Sequence, residues 1–442
     1  MKIHFIGSQG VSVKKLMDLA QKFGHSVSGS DILTGGHNAK NVVGCDLVVY
    51  SSAIDKNNVE LKKAKELNIP SITRAEYLGI AAKEFKNTIA VTGTHGKTTT
   101  TALIYEIFKP LKPTEHIGGQ LIECKMKNAE CKISDKIFNN NPTLLTSHFP
   151  LLTYFITEAC EYKESFLSLY PQLAVVLNME LDHTDYYKDY KQYEIAFRQF
   201  ISQSENAIVF GDDKKLNGIT FGFSGDCDYT AKDIKLDLNK SNFKVHEKGK
   251  FLLTAELNIG GRFNILNALA AIAAARFYKI SPKDITGGLK RFKNVGRRQE
   301  FLGELNGAKI ILDYAHHSTE IKNVLYYIKE VHPKAEITAV FEPHTYTRTK
   351  ALYKEFADSL SLADKIFLLP VYPAREKPIK GVSSKLILNE LNRYEKGDSP
   401  LFRTYEALNK KIYQLAKDNQ IIIFLGAGTI EQAARKLLLH SF

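Results

Sequence analysis

Three times along the chain a short apolar run ends in a glycine-bearing turn and passes into a segment whose apolar residues recur at helical spacing. The first runs from Lys2 to Ile6, turns through Gly7 to Gly10 and continues with Val13, Leu16, Met17 and Ala20 on one helical face. Apolar runs at Leu47 to Ser52 and Ser71 to Thr73 follow, alternating with helices, and predict an α/β layout around a parallel sheet. The second begins at Thr88 to Val91, turns through Thr92 to Thr98, and carries Leu103, Ile104, Ile107 and Phe108 on a helix stopped by Pro110. Leu173 to Leu177 reads as a buried strand. Between Asp226 and Leu257 the apolar positions alternate at Ile234, Leu236 and Leu238 and at Phe243 and Val245, which predicts antiparallel strands. The third is the tail from about residue 298, with strands expected at Lys309 to Leu312, Ile337 to Phe341, Ile366 to Leu369 and Ile421 to Leu425, the last entering Gly426-Ala427-Gly428 and a helix. Domains are therefore expected at 1–87, 88–297 and 298–442.

Composition narrows the class. A chain of 442 residues with 44% hydrophobic and 24% charged residues has the makeup of a globular protein of about three domains, not of a disordered or fibrous one. Lys and Arg number 60 against 48 Asp and Glu, and the net charge of +12 favours an anionic partner. The acids are spread along the chain and no block of like charges reads as a nucleic-acid arm, so nucleic acid is not expected. Five cysteines, Cys45, Cys124, Cys131, Cys160 and Cys227, form an odd set without a paired spacing, which predicts neither a disulfide framework nor a zinc site. No stretch reaches the roughly 18 to 20 apolar residues of a membrane span, and the first residues lack a signal-peptide pattern, so a cytoplasmic protein is expected.

The strongest chemical signal is the turn Gly93-Thr94-His95-Gly96-Lys97-Thr98-Thr99 between a strand and a helix. Small residues there let backbone N–H groups face phosphate oxygens while the helix N-terminus adds positive potential. In that arrangement Lys97 reaches the β and γ phosphates and the Thr98 hydroxyl ligates Mg2+. Val91 stands where the strict motif has its first glycine, and the four threonines Thr98 to Thr101 are poor helix formers, a cost offset if their hydroxyls bind something. The run resembles the ATP loop of the Mur ligases, the ATP-dependent amide-bond-forming enzymes of peptidoglycan synthesis, and its His95 is typical of the branch that acts on UDP-N-acetylmuramate and L-alanine.

That resemblance extends along the chain. Thr157-Glu158-Ala159-Cys160-Glu161 and Asn178-Met179-Glu180-Leu181-Asp182-His183 place acids and a His at strand ends, the donors that magnesium nucleotide chemistry needs. The family pattern implies that Glu158 and His183 hold Mg2+, ahead of Glu161, Glu180 or Asp182. Asn264 and Asn267 lie at i and i+3 on an Ala-rich helix, and the resemblance puts Asn267 at the adenine; Phe263 replaces the family's usual His. Arg297-Arg298 resembles the pair whose guanidinium reaches the γ-phosphate on closure, with Gln299 in place of Phe. Asp313-Tyr314-Ala315-His316-His317-Ser318-Thr319-Glu320 follows a strand, as do Glu342-Pro343-His344-Thr345-Tyr346-Thr347-Arg348 and Tyr372-Pro373-Ala374-Arg375. By the same resemblance Asp313 contacts nucleotide, His316 and His317 are catalytic with Lys97, Arg297 and Arg298, and His344, Arg348 and Arg375 bind substrate.

The first turn departs most from the family. Gly7-Ser8-Gln9-Gly10-Val11-Ser12 lacks two of its glycines, but Gly7, Gly10, Asp31 and Ser52 still follow the pattern of a UDP-sugar site. The resemblance thus implies an N-terminal Rossmann-like domain, a central P-loop ATPase domain and a C-terminal Rossmann-like domain. It implies ATP-dependent ligation of L-alanine to UDP-N-acetylmuramate through an acyl phosphate, by a monomer or homo-oligomer. Three other readings stay open: a ligase that joins a tripeptide to the same sugar nucleotide, a nucleotide-gated P-loop switch without ligation, and a UDP-sugar-binding regulator without catalysis.

Overall fold

In the computed structural model, which describes residues 1–117, 152–183, 186–374, 376–396 and 399–439, each of the three glycine turns leaves the carboxyl end of a parallel strand. Arg375 lies outside the described residues, as do Cys124 and Cys131. The first sheet is wholly parallel in the order β2-β1-β3-β4, built from β1 (Lys2–Ile6), β2 (Ser26–Ser30), β3 (Leu47–Tyr50) and β4 (Ser71–Thr73). Helices α1 (Val11–Lys22), α2 (Val59–Glu66) and α3 (Arg74–Ala82) connect and follow its strands.

The second sheet has nine strands in the order β13-β12-β11-β10-β9-β8-β5-β7-β6. They are β5 (Phe85–Thr92), β6 (Thr114–His116), β7 (Leu152–Glu158), β8 (Leu173–Val176), β9 (Asn206–Phe210), β10 (Ile219–Gly222), β11 (Tyr229–Asp237), β12 (Lys240–Glu247) and β13 (Lys250–Leu257). Strands β6 to β11 pair in parallel and β11, β12 and β13 antiparallel, in keeping with the alternation read between residues 226 and 257. Helices α4 (Lys97–Phe108), α5 (Tyr190–Ser202), α6 (Arg262–Phe277) and α7 (Pro282–Arg291) cover its faces. Every residue of α6 from Ala268 to Ala275 is fully buried, because small side chains on all sides let the helix lie between the sheet and its neighbours.

The third sheet runs β14-β15-β18-β16-β17, from β14 (Glu300–Leu305), β15 (Ala308–Asp313), β16 (Glu336–Phe341), β17 (Lys365–Leu368) and β18 (Gln420–Leu425), with only β14 antiparallel. Its helices are α8 (Ser318–Val331), α9 (Tyr346–Leu360), α10 (Lys385–Leu391), α11 (Tyr405–Leu415) and α12 (Ile430–Leu439). One apolar cluster joins the first sheet to the second: Phe5, Val13, Leu16 and Tyr77 belong to it together with Phe85, Phe155, Val176 and Phe197. Phe85 stacks on Phe155 at 4.7 Å between ring centroids.

The helix that leaves the phosphate turn is fixed by close backbone packing. A Cβ on Gly288 of α7 would sit 2.5 Å from Ile107 Cα on α4. Alanine elsewhere in a helix is worth up to about 1 kcal/mol over glycine, but here the clash with main chain wins. Gly288→Ala is expected to lower stability by about 1–3 kcal/mol, read as a fall in melting temperature; an unchanged or higher midpoint would show that the two helices separate freely.

Candidate active site

Strand β5 ends at Thr92 and the chain turns through Gly93 and Gly96 with φ of +135° and +86°. Both need glycine: a Cβ on Gly96 would lie 2.3 Å from Asn267 Oδ1. Helix α4 starts at Lys97 with no side-chain cap and no acidic residue in its first turn, so its leading N–H groups and its dipole are left for an anion. Lys97 Nζ donates to the carbonyls of Gly93 and Thr94 at 2.6 and 3.2 Å and pairs with Glu161 at 2.9 Å. Burial disfavours its charge, yet the Glu161 carboxylate outweighs that and raises the lysine above its ordinary pKa. Of the following threonines, Thr101 turns its hydroxyl back to Lys97 O, and Thr100 is buried with an unpartnered hydroxyl.

Around this loop three cavities adjoin. The first, about 220 Å³, has an apolar wall of Phe210, Phe221, Ile259, Phe263 and Leu266 and polar groups from His95, Gly96, Thr99, Asn267 and Asp313. Gln299 lines it with both amide atoms buried and unpartnered, a donor and an acceptor of the kind a nucleobase uses. The second, about 560 Å³, gathers Lys97, Thr98, Glu158, Glu161, His183, Arg297, Arg298 and His316. The third, about 740 Å³, is lined by Ser52, Asp182, His183, His344 and Arg348, and shares Asp182 and His183 with the second. The oxygen-rich set Thr98, Glu158 and Glu161 with one imidazole suits a hard divalent cation, and the uncapped helix start with Lys97 suits phosphates.

The junction before β14 is conformationally unusual, with Asn294, Arg297 and Gln299 all at positive φ. It folds both arginine guanidinium groups over the Tyr314 ring, at 4.7 and 5.1 Å. Arg297 donates to the carbonyls of Gly426 and Gly428, and Arg298 lies 3.6 Å from Glu320. Asp313 accepts the N–H groups of Gln299 and Ala315 at 2.8 and 2.7 Å, while burial lifts its carboxyl to about 6.

Glu320, the last residue of that motif, is the hub that sequence reading passed over. It accepts the N–H groups of His316 and His317, meets His316 Nδ1 at 3.2 Å, and reaches across to His95 Nδ1 at 3.2 Å. His95 is also bound by Glu180 at 2.9 Å; although burial opposes its charge, the two carboxylates lift it to about 9, which makes the loop histidine a cation at neutral pH. A second bridge joins Asp182 to Arg348 at 3.0 Å; burial opposes the Asp182 charge, but Arg348 together with His183, His316 and His317 holds its carboxyl far below the usual range. Asp182 and Glu161, ranked below Glu158 and His183 from sequence, thus have protein cations as partners.

Not every expected residue reaches these cavities. His317 is 3% exposed and lines none of the three, and burial lowers its pKa to about 4. Gly7, Gly10 and Asp31 also lie outside them. Gly7 has φ +86°, and the Asp31 carboxylate accepts N–H from Gln9 and Leu33, holding the glycine-poor turn in shape. Ser12, in the first turn of α1, bonds His116 and receives a bond from Arg74, tying the start of that helix to the second sheet.

Family comparison covers almost the whole chain. Residues 2–86 match the Mur ligase family catalytic domain, 91–275 the Mur ligase middle domain and 297–428 the Mur ligase glutamate ligase domain. The chain belongs to the Mur ligase family. Among Mur ligases it is similar to the UDP-N-acetylmuramate–L-alanine ligase of Clostridium acetobutylicum, 39% identical over 97% of this chain and 95% of that one. The solved UDP-N-acetylmuramate-alanine ligase of Thermotoga maritima superimposes with a TM-score of 0.79 at 26% identity, covering 99% and 98% of the two chains. A murein peptide ligase of Psychrobacter arcticus shares the Mur ligase fold at a TM-score of 0.66 and 23% identity, over 99% and 98%. Among the described residues no helix is long and apolar enough to cross a membrane.

Proposed function

We propose that this Mur ligase joins L-alanine to the lactyl carboxylate of UDP-N-acetylmuramate, with ATP as the activating co-substrate and division of the chain near residues 87 and 297. The observation that carries the reading is the convergence of Lys97, Thr98, Glu158, His183, Arg297, Arg298 and His316 on one cavity next to the apolar-walled pocket of Asn267 and Gln299 and to the cleft of Ser52, His344 and Arg348. The 39% identical L-alanine ligase supports alanine over a tripeptide as the acceptor. The paired arginines and histidines of the third domain favour ligation over a simple nucleotide switch.

The residues divide the work as follows. The apolar wall with Asn267 and Gln299 takes the base, and the N-terminus of α4 with Lys97 takes the phosphates. Thr98, Glu158 and His183 would hold Mg2+, which when bound would neutralise phosphate charge. Arg297 and Arg298, stacked on Tyr314, meet the charge that develops as the lactyl carboxylate takes the γ-phosphoryl group. The alanine amine then displaces phosphate from that acyl phosphate and gives up a proton. His316 is placed to receive it: Nδ1 donates to Tyr314 O at 3.0 Å, which leaves the lone pair on Nε2, and Glu320 orients the ring from behind. His344 and Arg348 bind substrate from the third cavity, next to Ser52.

Phosphate release with each substrate omitted in turn tests this. Turnover is expected only with ATP, UDP-N-acetylmuramate and L-alanine together. Hydrolysis indifferent to both acceptors would sink the proposal, and activity with tripeptide but not with alanine would move the chain to the peptide-ligase branch.

A further inference from the structure

We propose that His95, Glu180 and His317 form a second cation site, separate from the Thr98–Glu158–His183 position, that takes a divalent transition ion of the zinc class. One ligand atom from each of the three lies within 4.8 Å of the others. His95 Nε2 and Glu180 Oε2 are already 2.9 Å apart, and the His95 and His317 rings lie 5.0 Å apart between centroids with their planes tilted by 48°. Independently, His317 is 3% exposed and its Nε2 has no hydrogen-bond partner, although buried polar atoms are as a rule satisfied. An ion fills that vacant valence.

The donor set chooses the class of ion. Magnesium keeps oxygen ligands and water, whereas two imidazoles with one carboxylate suit zinc, cobalt or nickel, with a fourth position left for water or a phosphate oxygen. Bonds of about 2.0–2.1 Å in a tetrahedral site put ligand atoms roughly 3.3 Å apart, so from a spread of up to 4.8 Å the ligands need to close by up to about 1.5 Å. The ion replaces the proton shared by His95 and Glu180, and that proton goes to solvent. His95 and Glu180 belong to the second sheet's loops and His317 caps α8 of the third domain, so the ion staples the two together beside the phosphate loop. Zinc-class ions are therefore expected to inhibit turnover at saturating magnesium.

The full chain, free of nucleotide and magnesium, is titrated with Co2+ and read by visible absorption and equilibrium dialysis. One equivalent with the intense bands of four-coordinate cobalt is expected, displaced by Zn2+ and not by Mg2+. His317→Gln and Glu180→Gln should each weaken binding at least about tenfold with unchanged circular dichroism, while Glu158→Gln leaves it intact. Absence of the bands, their survival in both variants, or their loss in Glu158→Gln would overturn the site. X-ray absorption on the zinc-loaded wild-type chain needs no variant: two imidazole nitrogens in the first shell support the proposal, and a shell with one or none refutes it.

Discussion

Lys97→Ala is expected to lose about three orders of magnitude in turnover and, at the same time, about 3–5 kcal/mol of stability. The first loss follows from removing the cation that faces the phosphates at the start of α4. The second follows from Glu161, 1% exposed, which pairs with Lys97 at 2.9 Å and would be left as a buried charge facing His183 at 3.4 Å. Adding Glu161→Gln removes that stranded charge, so the double variant should recover most of the melting temperature and none of the turnover. Phosphate release and thermal unfolding on the four proteins of the cycle separate the two effects. Turnover above a tenth of wild type in the single variant would mean that the loop is not the phosphate cradle.

Glu320→Gln is the second large effect. Its carboxylate serves His95, Arg298 and His316 at once, so the amide should misplace groups on both sides of the second cavity and cut kcat by about a hundredfold. The pH response carries the distinguishing sign. His95 is raised to about 9, so its contribution to stability is complete below its ordinary value near 6.5 and is lost as pH rises through 9. With one of its two carboxylates gone the folded pKa falls, and the alkaline loss of stability should begin at lower pH than in the wild type. Unfolding midpoints measured from pH 6 to 10 check this; superimposable alkaline limbs would show that Glu320 does not hold His95.

What could be read from sequence was what is local. The phosphate turn announces itself because strand, glycines, Lys97 and helix are contiguous, and the histidine motifs do so because each sits directly after a strand. Glu320 was hidden by its own neighbourhood: three residues after His317, an acid reads as an ordinary helix cap, which it also is, and nothing nearby points to His95 or Arg298. The Asp31 carboxylate also holds the Gln9 N–H of the first turn, a contact between strand ends that spacing does not reveal. Strand β14 escaped notice because it is an edge strand with Phe301 43% exposed, so its apolar pattern is weak.

The apolar cluster shared by Phe5, Tyr77, Phe85 and Phe155 bears on how the molecule comes apart and how it can be recombined. A core that crosses from the first sheet to the second makes those two regions one cooperative unit, whereas the third sheet keeps most of its core in clusters of its own. Opening the third domain for substrate then has to break the Glu320–His95 and Asp182–Arg348 bridges but leaves the core shared by the first two sheets intact. Grafting the first domain from a relative, by contrast, requires carrying over the Phe85–Phe155 face with it, because a mismatched surface there would be felt as a defect in the interior of both.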